Sequence, residues 1–225
     1  MTNTLCIETS GPHCSLALNC NGHMFERNQI LERQHNQHLL PLLDAMFSEA
    51  QIKPTEVQLI GFGCGPGSFT GVRMAASVAQ AMALAAQCNV VPLSSSLIRA
   101  ATVAGERHNA LSQIVCSVRS RGDAYYFSAY AGGGVLEGIR ADELVVGPPV
   151  WLEGISREQP GPLLAGDIPA WLDTQAHGFV VTDTRPSAAS MVALVEAHHA
   201  AGRSTPPEHA LPSYFEGDSP WRPTV

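Results

Sequence analysis

The chain opens on a β-meander and opens another near its middle, and that repetition limits its possible folds more than any other feature. "TLCIETS" (4–10), "CSLALNC" (14–20) and "HMFERNQI" (23–30) read as strands joined by a "GPH" turn and an "NG" hairpin turn. "SQIVCSVRS" (112–120) and "DAYYFSAYA" (123–131) repeat the strand–turn–strand pattern, with "VLEGIRADELV" a candidate third strand. After the first meander, "HNQHLLPLLDAMFSEA" (35–50) carries Leu39, Leu42, Leu43, Met46, Phe47 and Ala50 at helical spacing. Pro41 lacks a backbone donor, so this helix starts near it or bends there. A buried strand at 57–65, a helix from Val72 to Gln87, a strand at 89–95 and a helix at 96–104 complete the first half. The second half adds short strands at 161–168 and 178–183 and a helix at 187–202. Meanders followed by alternating helix and strand predict mixed sheets covered by helices. The expected organisation is a duplicated α/β lobe: residues 1–104, then a smaller lobe over 105–225 that ends in a proline-rich tail.

At 225 residues and 45% apolar, the chain has enough interior for such a core. No apolar run reaches the length of a membrane span, and no basic region precedes an apolar stretch at the start. The six cysteines show no CxxC spacing and several sit inside apolar runs, so they read as small buried hydrophobes in a reducing compartment. A cytoplasmic location is expected. The net charge is −7, without a cluster of lysine and arginine. A protein that grips phosphate backbone by itself carries a basic stripe, so any RNA must be held mainly by another subunit.

"GCGPGSFTGVR" (63–73) joins the strand at 57–65 to the following helix. Ser68 or Thr70 can cap that helix, and free N–H groups at its start would favour an anion. The known phosphate patterns nonetheless fail. There is no Gly-Lys-Ser/Thr, Thr70 stands where a dinucleotide fingerprint needs its third glycine, and Ser68 is flanked by Pro66 and Thr70 rather than by a nucleophile elbow's glycines. A nucleotide site at Gly65, Gly67, Ser68 and Thr70 therefore stands beside the plainer reading of a tight strand-to-helix turn.

The helix after the loop has only Arg73, Ser77, Gln80 and Gln87 as polar residues. Its apolar arc far exceeds the ~100° that covers one core. Ala75, Ala76, Ala79, Ala83 and Ala86 form a flat, small-residue face, which predicts a surface shared with another chain rather than one buried in this one.

Other candidates for chemistry are weaker. Glu8 ends the first strand, where it could hold Mg²⁺ near a phosphate, though a surface carboxylate is the commoner role. His35 and His38 lie one helical turn apart without a third ligand nearby in sequence. His198 and His199 are neighbours and cannot face one site on a helix. Asp123, Tyr125 and Tyr126 lie in a strand that packs, and no nucleophile pairs with them.

"IETSGPHCSLAL", "RQHNQHLLPLLDAM", "GPGSFTGVR" and "SVRSRGDAYYFSAY" together resemble the TsaB (YeaZ) family, a subunit needed for threonylcarbamoyladenosine formation on tRNA. "GPGSFTGVR" is the specific element, and the likeness covers most of the first 130 residues. It returns weakly in "LPSYFEGDSPW", where Phe215–Glu216 replace the family's usual Leu-Arg, just as Glu8 replaces its usual Asp. The resemblance implies a two-lobe actin/Hsp70-like (ASKHA, RNase H-like) α/β fold with a reduced second lobe. It implies a heterodimer with the catalytic paralogue TsaD, action with the ATPase TsaE, a homodimer when alone, and tRNA bound only through the complex. ATP and Mg²⁺ then belong to the assembly, with no cofactor held by this chain alone. Family practice places the interface on first-lobe helices, here Leu39, Leu43, Val72, Arg73, Ala76, Ala79 and Ala83. The paralogue's metal-binding histidine pair is replaced here by Ser94–Ser95–Ser96, so the chain is expected to be a partner and not the catalyst. The rival readings are a metal-dependent glycopeptidase-like enzyme and a small phosphotransferase on the same fold.

Overall fold

A computed structural model describes residues 2–31, 34–106, 113–131, 137–155 and 161–213. The chain divides into two compact units. Unit 1 comprises Met1–Ile98 and Pro186–Pro212; unit 2 comprises Arg99–Arg185 and Ser213–Val225.

Unit 1 is built on β1 (Thr4–Glu8), β2 (His13–Cys20), β3 (His23–Ile30), β4 (Leu59–Gly63) and β5 (Asn89–Leu93), in the order β3-β2-β1-β4-β5. β1–β2 and β2–β3 pair antiparallel, whereas β1–β4 and β4–β5 pair parallel. The central strands β1 and β4 are buried throughout, which requires cover on both faces of the sheet. Alternate side chains divide between two cores. Leu5, Ile7, Leu16, Leu18, Ile60 and Phe62 face α1 (His35–Ala50) and α2 (Phe69–Ala86). Cys6, Ala17, Leu59, Val91 and Leu93 face Ile98 of α3 (Ser95–Glu106) and the apolar stripe of α4 (Ala188–Ala200). Pro41 sits inside α1 on its exposed side, so the helix starts at His35 rather than at the proline.

The boundary expected at residue 104 gives way to a different division, because α4 returns to the first unit. Its Ala188, Met191, Val192 and Val195 recur at helical spacing and are buried. Gly61 of β4 leaves the room that Val195 fills, since a Cβ there would overlap the valine's methyl. Both ends of α4 are fastened to the sheet. The Ala188 N–H donates to Ser15 Oγ (2.8 Å), and Glu196 Oε1 accepts from Thr4 Oγ1 (3.0 Å) and Asn19 Nδ2 (3.3 Å). Past the helix, Thr205 exchanges backbone hydrogen bonds with Val90 and so covers the free edge of β5. Ala210 is buried in the same core as α1 and α2. Residues 214–225, including Phe215–Glu216, lie outside the described residues.

Unit 2 repeats the topology with β6 (Gln113–Arg119), β7 (Tyr125–Ala131), β8 (Glu137–Val145), β9 (Leu163–Gly166) and β10 (Val180–Thr182), ordered β8-β7-β6-β9-β10. Again the first three strands form an antiparallel meander, and the last two add in parallel. Its core gathers Val115, Tyr125, Phe127, Leu152 and Leu164 around Trp171. The indole meets Tyr125 edge-on at 6.1 Å and Phe127 at 5.5 Å. Where unit 1 carries α2 between its two parallel strands, unit 2 has only turns. All six cysteines are free thiols, five of them buried and Cys88 half-buried. Among the described residues no helix is long and apolar enough to cross a membrane.

Candidate functional site

The parallel register of β1 on β4 pairs Ile7 with Phe62 and so carries Glu8 alongside Gly63. Two segments meet there: Glu8–Thr9–Ser10 leaving β1, and the glycine loop leaving β4. Glu8 is not on the surface, as its place at a strand end suggested, but 2% exposed. Its Oε1 accepts from the Ser10 N–H (2.5 Å) and its Oε2 from Ser95 Oγ (3.2 Å). Gly63 is glycine because a side chain there would overlap the Glu8 carboxylate.

The loop is fastened to β1's continuation by short hydrogen bonds. The Ser68 N–H donates to the Ser10 carbonyl (2.6 Å), and Thr9 Oγ1 donates to the Gly71 carbonyl (2.7 Å). On the other side the Ser95 N–H donates to the Gly65 carbonyl (2.8 Å). Such close approach explains two of the glycines. At Gly67, with φ of 153°, a Cβ would overlap the Ser10 carbonyl oxygen, and at Gly71 it would overlap that of Thr9. Ser68 caps α2 by accepting from the Gly71 N–H (3.3 Å), so the helix begins at Phe69, three residues before the expected Val72. Of the four residues expected to contact nucleotide, Gly65 is buried, Ser68 is the cap, Gly67 lies against Ser10, and Thr70 stands exposed in the first turn. Sequence reasoning missed Thr9, Ser10 and Ser95 as their partners. The parallel pairing of the first strand with the fourth was the signal that could have found them.

Among the described residues the histidines do not assemble a centre. His35 is buried with Nε2 3.3 Å from the His13 carbonyl oxygen, unlike the solvated helix start expected, and His38 is half-buried. His199 Nδ1 lies 2.9 Å from Ser204 Oγ, while burial and the Arg203 charge hold the His198 imidazole below its usual range. Among the described residues no group of three His, Cys, Asp or Glu is placed to hold a metal ion.

The small-residue face of α2 is also not where it was expected. Leu39, Leu43, Ala76, Ala79 and Ala83 are buried in this chain's own core, between the helices and the Leu/Ile/Phe face of the sheet, and Val72 is buried as well. The alanines let α2 lie close on bulky strand residues. A stripe shared with another chain would need to be open, and this one is 0% exposed at Ala79 and Ala83. Arg73 alone of the expected interface set is exposed, its guanidinium 3.5 Å over the Phe69 ring. The outward side of the helix nonetheless carries two large apolar residues. Phe69 (42% exposed) and Leu84 (72%) point outward, with Arg73, Ser77 and Gln80 between them and Ala81 and Ala85 beside them. On α1, Leu40 is outward as well.

Two units with the same strand order, each a meander extended by two parallel strands, define the two-lobed α/β class that includes actin and Hsp70. A protein-family model described as "TsaD: tRNA N6-adenosine threonylcarbamoyltransferase" matches residues 28–143. The Haemophilus influenzae tRNA threonylcarbamoyladenosine biosynthesis protein TsaB is 36% identical over 138 residues, 61% of this chain but only 56% of that one. The Escherichia coli TsaB is 27% identical over 225 residues, covering 97% of this chain and 96% of that protein. Among solved structures, a Pseudomonas aeruginosa protein described as similar to the peptidase YeaZ aligns with a TM-score of 0.83 at 27% identity, over 96% of this chain and all of that one. A structure of YeaZ from the same organism gives 0.78 at 26% identity with the same coverage. The chain belongs to this family of TsaD-related proteins, in its TsaB (YeaZ) group.

Proposed function

We propose that the chain is a non-catalytic subunit in threonylcarbamoyladenosine formation on tRNA, and that it binds a TsaD-type transferase through the outward stripe of α2. The observation that carries this reading is the outward stripe of α2, where Phe69 and Leu84 stand exposed beside Ala81 and Ala85 and among Arg73, Ser77 and Gln80, while the opposite side of the helix fills the core. Large apolar side chains rimmed by polar ones on an exposed face suit a surface that another protein covers. A partner role rather than a catalytic one fits the state of the glycine loop. Its Gly65 and Gly71 carbonyls accept from the Ser95 N–H and Thr9 Oγ1, its Ser68 Oγ accepts from the Gly71 N–H, and the adjacent Glu8 carboxylate accepts from the Ser10 N–H and Ser95 Oγ. TsaE, ATP and Mg²⁺ are assigned to the assembled complex, self-association of the same stripe gives the homodimer, and tRNA is held by the partners. The net charge of −7 supports that last assignment.

The test is reconstitution. The chain alone should transfer no threonylcarbamoyl group to tRNA, and adding it to TsaD, TsaE and threonylcarbamoyl-adenylate should raise modification. Leu84→Glu should weaken co-purification with TsaD by more than ~100-fold, as a charge stranded in an apolar contact does. Turnover by the chain alone, or a Leu84→Glu variant that pairs normally, would refute the proposal.

A further inference from the structure

We propose that β3 is a self-pairing edge, along which two copies of the chain join their unit 1 sheets antiparallel about a two-fold axis at Arg27. The outermost strands of the two sheets meet solvent in different ways. β5 is covered by Thr205, β10 is 3 residues long, and β8 meets β7 through register shifts between Phe127 and Tyr130. Covered, short and bulged edges resist pairing with another chain. β3 has none of these devices. It runs 8 residues without proline or glycine, in unbroken register with β2, and no described strand pairs with its other side.

The backbone of that edge is set to pair. Asn21 and Gly22 have φ of 51° and 83°, the type I′ geometry of a two-residue hairpin, so the closing pair Cys20–His23 is hydrogen-bonded. From there the alternation of an antiparallel ladder turns the odd-numbered residues of β3 toward β2, and the Leu31 N–H donating to the Pro12 carbonyl (2.9 Å) continues it. Met24, Glu26, Asn28 and Ile30 therefore turn their N–H and C=O groups outward. The Glu26 carbonyl accepts from Arg27 Nη1 (2.8 Å) and keeps a second lone pair.

Side chains select a second copy as the occupant. Residues directly opposite one another across an antiparallel junction lie on the same face. With the axis at Arg27, Met24 of one copy faces Ile30 of the other, Glu26 faces Asn28, and Phe25 faces Gln29. Met24 is 43% exposed and Ile30 64%, and each end of the junction would cover one such apolar pair. An axis at Glu26 would instead set two carboxylates against each other, and one at Asn28 would set Ile30 against Glu26. At the centre, each Arg27 is already paired with Glu49 of its own α1, which offsets the repulsion between the two guanidinium groups. β2 and β1 separate β3 from β4, against which α2 packs, so this pairing leaves the outward stripe of α2 free for another partner.

The test uses the full chain carrying Leu84→Glu, which removes self-association through α2 and leaves β3 unaltered. Sedimentation equilibrium and amide hydrogen exchange are followed across a concentration series. A reversible dimer is expected. As it forms, the Met24, Glu26, Asn28 and Ile30 amides should slow, while those of Phe25, Arg27 and Gln29, bonded to β2, should not change. Met24→Glu or Ile30→Lys alone should weaken the dimer roughly tenfold, because each spoils both apolar pairs. The double variant M24E/I30K should recover it, since its new opposite charges face each other only in this register. A chain that stays monomeric throughout would overturn the proposal, as would a dimer whose even-numbered amides still exchange freely. So would a double variant no tighter than the single ones. Slowing of these amides only when a TsaD-type protein is added would assign the edge to that partner and equally refute self-pairing.

Discussion

Burial, and after it the Glu8 carboxylate, push the Cys14 thiol from its ordinary value of 9.0 up to about 12. Burial does the same to Cys116, also to about 12, against the opposing pull of Arg99. Between these values the unfolded chain gives up protons that the folded one keeps. The thiols' contribution to stability is therefore complete below pH 9 and is lost as pH rises toward 12. The thiolate is the reactive form, so these sulfurs are also inert at neutral pH. At pH 8, a disulfide reagent should label native protein slowly and at half-buried Cys88, whose own thiol burial also raises. All six should react in guanidinium, and Cys88→Ser should remove the native reaction. Rapid native labelling of several thiols would contradict this account. At the same scale, Glu8 shows what residue type alone conceals. A carboxylate at a strand end reads as solvated until the neighbouring strand is known, and here that neighbour closes over it.

Among the elements, α2 separates what a pattern states from what it leaves open. The run of alanines announces close approach, but an alanine face looks the same whether it meets a sheet of its own chain or a helix of another. Only the strand order decides, since Ile60 and Phe62 of β4 and Leu5 and Ile7 of β1 stand opposite those alanines. Ala79→Glu should thus destabilise the isolated chain by about 3 kcal/mol or more, through an unpaired charge forced into the core. Thermal melting checks this, with Leu84→Glu as the control that should leave the melt nearly unchanged because its side chain is already in water. The meanders and α1 were legible because period two and period 3.6 are local signals. The start of α2 was misplaced by three residues because a serine cap competes with Thr70 two residues later. α4 was legible as a helix, but its destination was not: Ala188, Met191, Val192 and Val195 say that one face is covered, not by which sheet. The apparent excess of buried character in β1 and β4, apolar on both faces, held that answer.

For the whole molecule, the return of residues 186–212 places Arg99–Arg185 of unit 2 between two stretches of unit 1. A chain ending at residue 185 keeps every strand of both sheets but leaves Cys6, Ala17, Leu59, Val91 and Leu93 without the helix that covers them. Such a truncation should lose cooperative melting of unit 1 and expose apolar surface that binds a hydrophobic dye. Supplying residues 186–213 as a peptide should restore part of the transition; a truncated chain that melts like the full one would refute this. The order of synthesis acquires a consequence from the same arrangement. A ribosome adds roughly 5–20 residues each second and domains commonly fold as they emerge. Unit 1 cannot close before residues 99–185 have been made. Its sheet waits, one face bare, through the translation of that stretch, until α4 emerges and covers it.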